Sequence, residues 1–79
     1  MNTTPAKVHA ALLSISWTEY QTVDQVAEVA GLPRIAVLNS LRGLARRGYV
    51  KESYRVNAAM NTGPYRPVFR INRRNYIEN

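Results

Sequence analysis

The 79-residue chain has no cysteine and a single histidine, His9. The first absence rules out a disulfide framework and a thiolate metal site. The second leaves no imidazole cluster, so no metal and no cofactor are expected. His9 falls off the apolar stripe of its predicted helix and reads as a surface residue. Acidic residues are also few: five, against eleven Lys and Arg. No two carboxylates stand at a spacing suited to general acid–base work. Asp24 and Glu28, at i and i+4 of a predicted helix, read as a solvated face, and no enzymatic activity is expected. No apolar run approaches the ~18 residues of a membrane-spanning helix. The opening Met1-Asn2-Thr3-Thr4 lacks the basic-then-apolar layout of a secretory signal. A reducing, cytoplasmic location is the expectation. Without internal repeats or low-complexity tracts, residues 1–79 read as one domain.

What is present is basic charge, unevenly placed. The formal net charge is +6 and the sequence pI is about 10.3. Up to Pro33 one Lys faces three acidic residues; from Arg34 onward ten Lys and Arg face two. Such asymmetry is the electrostatic footprint of a polyanion binder. At 46% hydrophobic and 20% charged, the composition is that of a globular protein.

Periodicity divides the chain. Thr4-Pro5 is a helix-start signal, and Val8, Ala11, Leu12 and Ile15 then repeat at helical spacing, predicting a helix over about 5–16. Trp17 and Tyr20 are expected to anchor the connector by packing, and Tyr20-Gln21 to add a very short strand. Thr22-Val23-Asp24-Gln25 is a capping-box pattern opening a short helix over about 23–30, with Val26, Ala27 and Ala30 inward and Gly31 closing it. A third helix over about 33–47 follows. Pro33 is expected in its first turn, Val37, Leu41 and Leu44 on its inner stripe, and Asn39, Arg42, Gly43, Arg46 and Arg47 on the outer side. Gly48 sits where a left-handed residue ends a helix. Gly43 costs the helix about 1 kcal/mol relative to Ala, a cost that close backbone approach to a partner or plain tolerance explains.

After Gly48 the period becomes two. A strand over about 49–56 places Val50, Tyr54 and Val56 on one face, interrupted by Glu52, with Lys51, Ser53 and Arg55 on the other. Residues 57–64 read as a loop. A second strand over about 66–72 has Phe69 and Ile71 inward, with Pro67 expected at a late start or on an edge. The tail, 73–79, is too short for a new element.

Helix, tight turn with Gly, and a basic second helix is the organisation of a helix-turn-helix. The run Leu41-x-x-Leu44-x-x-x-Gly48-Tyr49-Val50 resembles small bacterial and phage regulators of the MarR, ArsR and PapI type. In those, a recognition helix ends this way and runs directly into a β-wing. Val26-Ala27-Glu28-Val29-Ala30-Gly31-Leu32-Pro33 is similar to the preceding helix and turn of that family, with Pro33 in place of the usual Ser or Thr. The resemblance covers about residues 5–72. It implies an α+β winged helix-turn-helix: three helices, then a two- or three-stranded antiparallel wing. The long dimerisation helices of the MarR type have no room here.

The resemblance implies a sequence-specific regulator that binds double-stranded DNA. The third helix would enter the major groove. Arg34, Ile35, Ala36, Asn39 and Arg42 are the candidate base contacts, since Arg bonds guanine and Asn adenine bidentately and small apolar groups meet the thymine methyl. Thr22, Gln25, Arg46, Arg47, Lys51, Arg55 and Arg66 are the candidate phosphate or wing contacts. A homodimer or cooperative binding at repeated sites would add specificity, with the first helix and Tyr76-Ile77 as candidate contacts. Two other readings stay open: a winged helix that binds protein, and a nonspecific nucleic-acid binder. No small-molecule ligand and no membrane partner is indicated.

Overall fold

A helical half and a strand half follow the two periodicities closely. A computed structural model of the chain describes residues 3–55 and 66–74. In chain order the elements are α1 (Thr4–Ile15), β1 (Gln21–Thr22), α2 (Val23–Ala30), α3 (Arg34–Arg46), β2 (Val50–Arg55) and β3 (Arg66–Ile71).

Helix α1 starts one residue ahead of its expected boundary. Thr3 occupies the cap position without a side-chain cap bond, and Thr4 is already helical, so the expected Thr4 cap is not formed. Val8, Ala11 and Leu12 are buried on its inner stripe. Past its end the Ser16 hydroxyl accepts from the Thr18 and Glu19 amides (3.1 and 3.0 Å) and turns the chain toward β1.

The capping box of α2 forms as expected. The Gln25 amide donates to Thr22 Oγ1 (3.1 Å), and the Thr22 amide donates to Gln25 Oε1 (2.8 Å). Gly31 ends the helix at φ 69°, a left-handed conformation that glycine adopts without a Cβ penalty. Its amide and that of Leu32 both reach Ala27 O (2.9 and 3.3 Å).

Helix α3 starts one residue later than expected. Pro33 stands outside the first turn as the cap, with ψ at 144°, and its carbonyl accepts the first helical bond from Val37 N (3.1 Å). The far end is a Schellman motif: Gly48, at φ 84°, donates to Ala45 O (3.1 Å) and Tyr49 N to Leu44 O (3.0 Å). This fixes the angle at which the chain leaves α3 and enters β2.

The sheet has three strands, order β1-β3-β2, all antiparallel. Gln21–Thr22 pair with Phe69 and Val68, and Val50–Arg55 pair with Ile71–Arg66. β3 is therefore central, not an edge strand, and it begins before Pro67. The proline is tolerated there because β1 reaches only Phe69 and Val68, so no strand faces Pro67 on that side. Asn72 fastens the sheet to the end of α3: its amide donates to Tyr49 O (3.0 Å) and its Nδ2 to Gly48 O (2.8 Å). Val56, the loop and residues 75–79, with the Tyr76-Ile77 tail, lie outside the described residues.

The core joins both halves. Val8, Leu12, Val26, Val37, Leu41, Phe69 and Ile71 are fully buried, with α1 packed on α2 and α3. Each such aliphatic or aromatic side chain contributes about 1.5–3 kcal/mol on burial. Trp17, expected to anchor the connector by packing, is not in it and is 44% exposed; Tyr54, on the interrupted apolar face of β2, is 55% exposed. Trp17 sits in the connector beyond the packed end of α1. Tyr54 shares the inner face of β2 with Val50, four residues along, where its hydroxyl is bonded to Glu52 beside Arg42 rather than packed in the core. Among the described residues no helix is long and apolar enough to cross a membrane. Three helices with an antiparallel three-stranded wing constitute the α+β winged helix-turn-helix arrangement.

Candidate nucleic-acid interface

The outward side of α3 follows from its inward side. Val37, Leu41 and Leu44 are buried, with Leu38 and Ala45 half-buried beside them. At 100° per residue the opposite crest is then Ile35, Asn39, Arg42 and Arg46. All four are exposed, Ile35 by 65%. The helix flank beside α1 carries Ser40, Gly43 and Arg47. There Asn39, Gly43 and Arg47 line a concavity with Pro5. The flank beside the wing carries Arg42, Ala45 and Arg46, which line a second concavity with Glu52.

The remaining candidates lie elsewhere. Arg34 is not on the crest; it sits on the flank toward α2, and its Nε donates to Asp24 Oδ1 at 2.9 Å, both side chains exposed. Exposed pairs of this kind contribute about 0–1 kcal/mol to stability, so Asp24 orients Arg34 more than it holds the fold. Ala36 is half-buried. The Thr22 amide, expected to face a phosphate, is engaged by Gln25 Oε1, and Thr22 Oγ1 by the Gln25 amide. Lys51 and Arg66 are exposed, and strand parity puts them on the sheet face opposite Val50, Phe69 and Ile71, which face the core; Val68, between Arg66 and Arg70 on the outer face, is buried as well. Arg55 stands opposite Arg66 in the register.

Three contributors were missed in the sequence. Tyr54 Oη donates to Glu52 Oε2 (2.8 Å), placing a carboxylate and a phenol beside Arg42. The hydrogen bond to Glu52, and then its charge, hold the Tyr54 phenol above the usual tyrosine range, while Arg42 acts in the opposite direction. Arg70 lies over the Tyr20 ring, 5.3 Å from its centroid, on the outer sheet face. Strand parity carried the first signal, since residues 50, 52 and 54 share a face; the meeting of Arg70 with Tyr20 depends on the pairing of β1 with β3. His9 is half-buried rather than at the surface. Its ring meets Tyr49 edge-on at 6.0 Å, and burial lowers its pKa below the usual histidine value. Gly43 has no neighbour within 4 Å of where a Cβ would stand, so nothing inside the molecule requires glycine there.

Chemically, the crest offers an amide, two guanidiniums and an exposed aliphatic side chain along one helix edge. That set matches the donor pattern by which helices read base edges and phosphates. Among the described residues no group of three or more His, Cys, Asp or Glu stands together as a metal site.

No family model and no curated protein sequence matches the chain. Two solved structures share its fold. One is titled "Possible transcriptional regulator from Methanosarcina mazei Go1", with a TM-score of 0.80 and 18% identity over 100% of this chain. The chain spans 62% of that protein's length. The other is Stf76 from the Sulfolobus islandicus plasmid-virus pSSVx, with a TM-score of 0.64 and 19% identity, covering 91% of this chain and 88% of that one. At these identities the likeness is one of fold.

Proposed function

We propose that this chain is a sequence-specific double-stranded DNA-binding transcriptional regulator, with α3 as its reading helix. The observation that carries the reading is the crest of α3. Ile35, Asn39, Arg42 and Arg46 stand exposed in one line, on the half of the chain that holds nearly all its positive charge.

In this reading α3 enters the major groove. Asn39 and Arg42 contact base edges, Ile35 meets a thymine methyl, and Ala36 closes against the groove wall. Arg46 and Arg47, toward the helix end, take phosphates. Arg34, already oriented by Asp24, serves a phosphate near the turn, and Gln25 offers its amide nitrogen to the same backbone. A single module of this size buries on the order of 600–1,000 Å² of protein surface on DNA, so a dimer or repeated sites would supply the remaining specificity. The regulator title of the Methanosarcina mazei neighbour and the fold shared with both support the class of function. No enzymatic step is part of it.

The test is selection from a random duplex library, followed by affinity measurements at several salt concentrations. One enriched motif, with log affinity falling steeply and linearly in log salt, is the expected result. No enrichment and no salt-dependent duplex affinity would sink the reading and favour a protein partner. Salt-dependent affinity without enrichment would reduce it to nonspecific binding.

A further inference from the structure

The sheet has a second basic surface that the reading helix does not share. On the face turned away from the helices, Lys51 stands directly opposite Arg70, and Arg66 lies beyond the buried Val68 on β3. Like charges directly opposite one another in a sheet destabilise it, and no strand position on that face carries an acid to relieve them. Arg66 and Arg70 are four residues apart on β3, so they stand roughly 13 Å apart along it. Tyr20 supports Arg70 from below, with the guanidinium 5.3 Å from the ring centroid.

A duplex seated on α3 does not reach this surface. The angle between α3 and the wing is lined by Arg42, Arg46 and Glu52, and Tyr54 is bonded to Glu52. Those wing residues belong to the inner face of β2. Lys51 and Arg70 project from the other side of the same two strands. A polyanion lying in that angle therefore meets a carboxylate and a phenol, while Lys51, Arg66 and Arg70 face outward behind it.

We propose that the outer sheet face, built on Lys51, Arg66 and Arg70, is a second duplex-binding surface, so that one chain holds two DNA segments at once. The proposal rests on the reading of α3 as a DNA-binding helix and adds a bridging activity to it. Charge complementarity selects the occupant: three cations, Lys51, Arg66 and Arg70, on a strand face without an acid fit the phosphates of a duplex. A chain already on DNA meets further duplex at high local concentration. Recognition at this face is by phosphates alone, so it carries no sequence preference.

The experiment tethers a selected duplex to beads, loads protein at a concentration where it sediments as one chain, and measures recovery of a second, labelled duplex of unrelated sequence. The mass of the complex gives its stoichiometry. The expected product is one chain with two duplexes. With three cations engaged, affinity for the second duplex falls roughly 40-fold between 50 and 200 mM salt. Lys51→Glu lowers recovery of the second duplex about tenfold or more and leaves the first within about twofold, because it removes one phosphate contact and adds repulsion. Its thermal midpoint does not drop, because the substitution converts a like-charged cross-strand pair into an opposite-charged one. Arg66→Glu repeats the loss without touching the Arg70–Tyr20 contact. Complexes that bind one duplex and never a second would overturn the proposal. So would bridging that needs two chains, bridging that survives both substitutions, or retention of an RNA helix in place of a second DNA. Failure to bind any duplex would instead remove the reading of α3 on which the proposal stands.

Discussion

The two helices of the turn motif differ in what their polar groups do. In α2 they are consumed internally. Thr22 and Gln25 close the capping box, Asp24 holds Arg34, and Gly31 turns the chain out. In α3 the cap is Pro33, with no side-chain bond, and the crest residues Asn39, Arg42 and Arg46 are exposed. Eight residues thus build a fixed corner, and thirteen residues present chemistry from it. Polar side chains that satisfy the backbone belong to the fold; those left at the surface in a row belong to a ligand.

Perturbations separate these roles. The largest effect is expected at the face the two helices share. Leu41→Ala opens a cavity under α3 and costs about 2–5 kcal/mol of stability, measured by urea unfolding, with any loss of DNA binding tracking the loss of fold. Next is the corner. Thr22→Ala removes the cap acceptor and costs about 1 kcal/mol, yet duplex affinity measured well below the melting point stays the same. A parallel fall in affinity would show that Thr22 touches DNA after all. Gly43→Ala sharpens the contrast from the other side. A Cβ there meets nothing within the molecule, so the helix gains about 1 kcal/mol. In a domain of this size that is roughly 4–8 °C in Tm. If DNA approaches the backbone at Gly43, the more stable variant binds duplex more weakly.

The smallest effect is on pH. The His9 pKa is lowered by burial, so the unfolded chain binds the proton more tightly than the folded one. This group's contribution is present above the unfolded value of about 6.5 and is lost as pH falls through it toward the folded value. Stability should decline as pH falls through about 6.5, and His9→Gln should flatten that decline.

Much of this was legible in the residues. The stripe Val37, Leu41, Leu44 fixed both faces of α3, and Thr22–Gln25 and Gly48 announced their caps because each requires a particular side chain or a positive φ. Helix starts were less readable. Thr4-Pro5 and Pro33 shifted by one residue because proline fits both at a cap and in a first turn. The wing was read too locally. Tyr54 alternates correctly with Val50, but alternation tells which face a side chain takes, not whether another element covers it. Pro67 signalled an edge, and only the shortness of β1 explains how a central strand accommodates it. Arg70 and Tyr20 come together through pairing between segments nearly 50 residues apart, which no local pattern carries.

The central claim is that the crest of α3 reads bases. It is tested most directly by measuring Arg42→Ala on the selected duplex and on a scrambled one at the same salt. The account predicts a loss of about 1–3 kcal/mol on the selected sequence, roughly 5- to 150-fold, against less than about threefold on the scrambled one, with Tm unchanged. Equal losses on both sequences, or none on either, would contradict it.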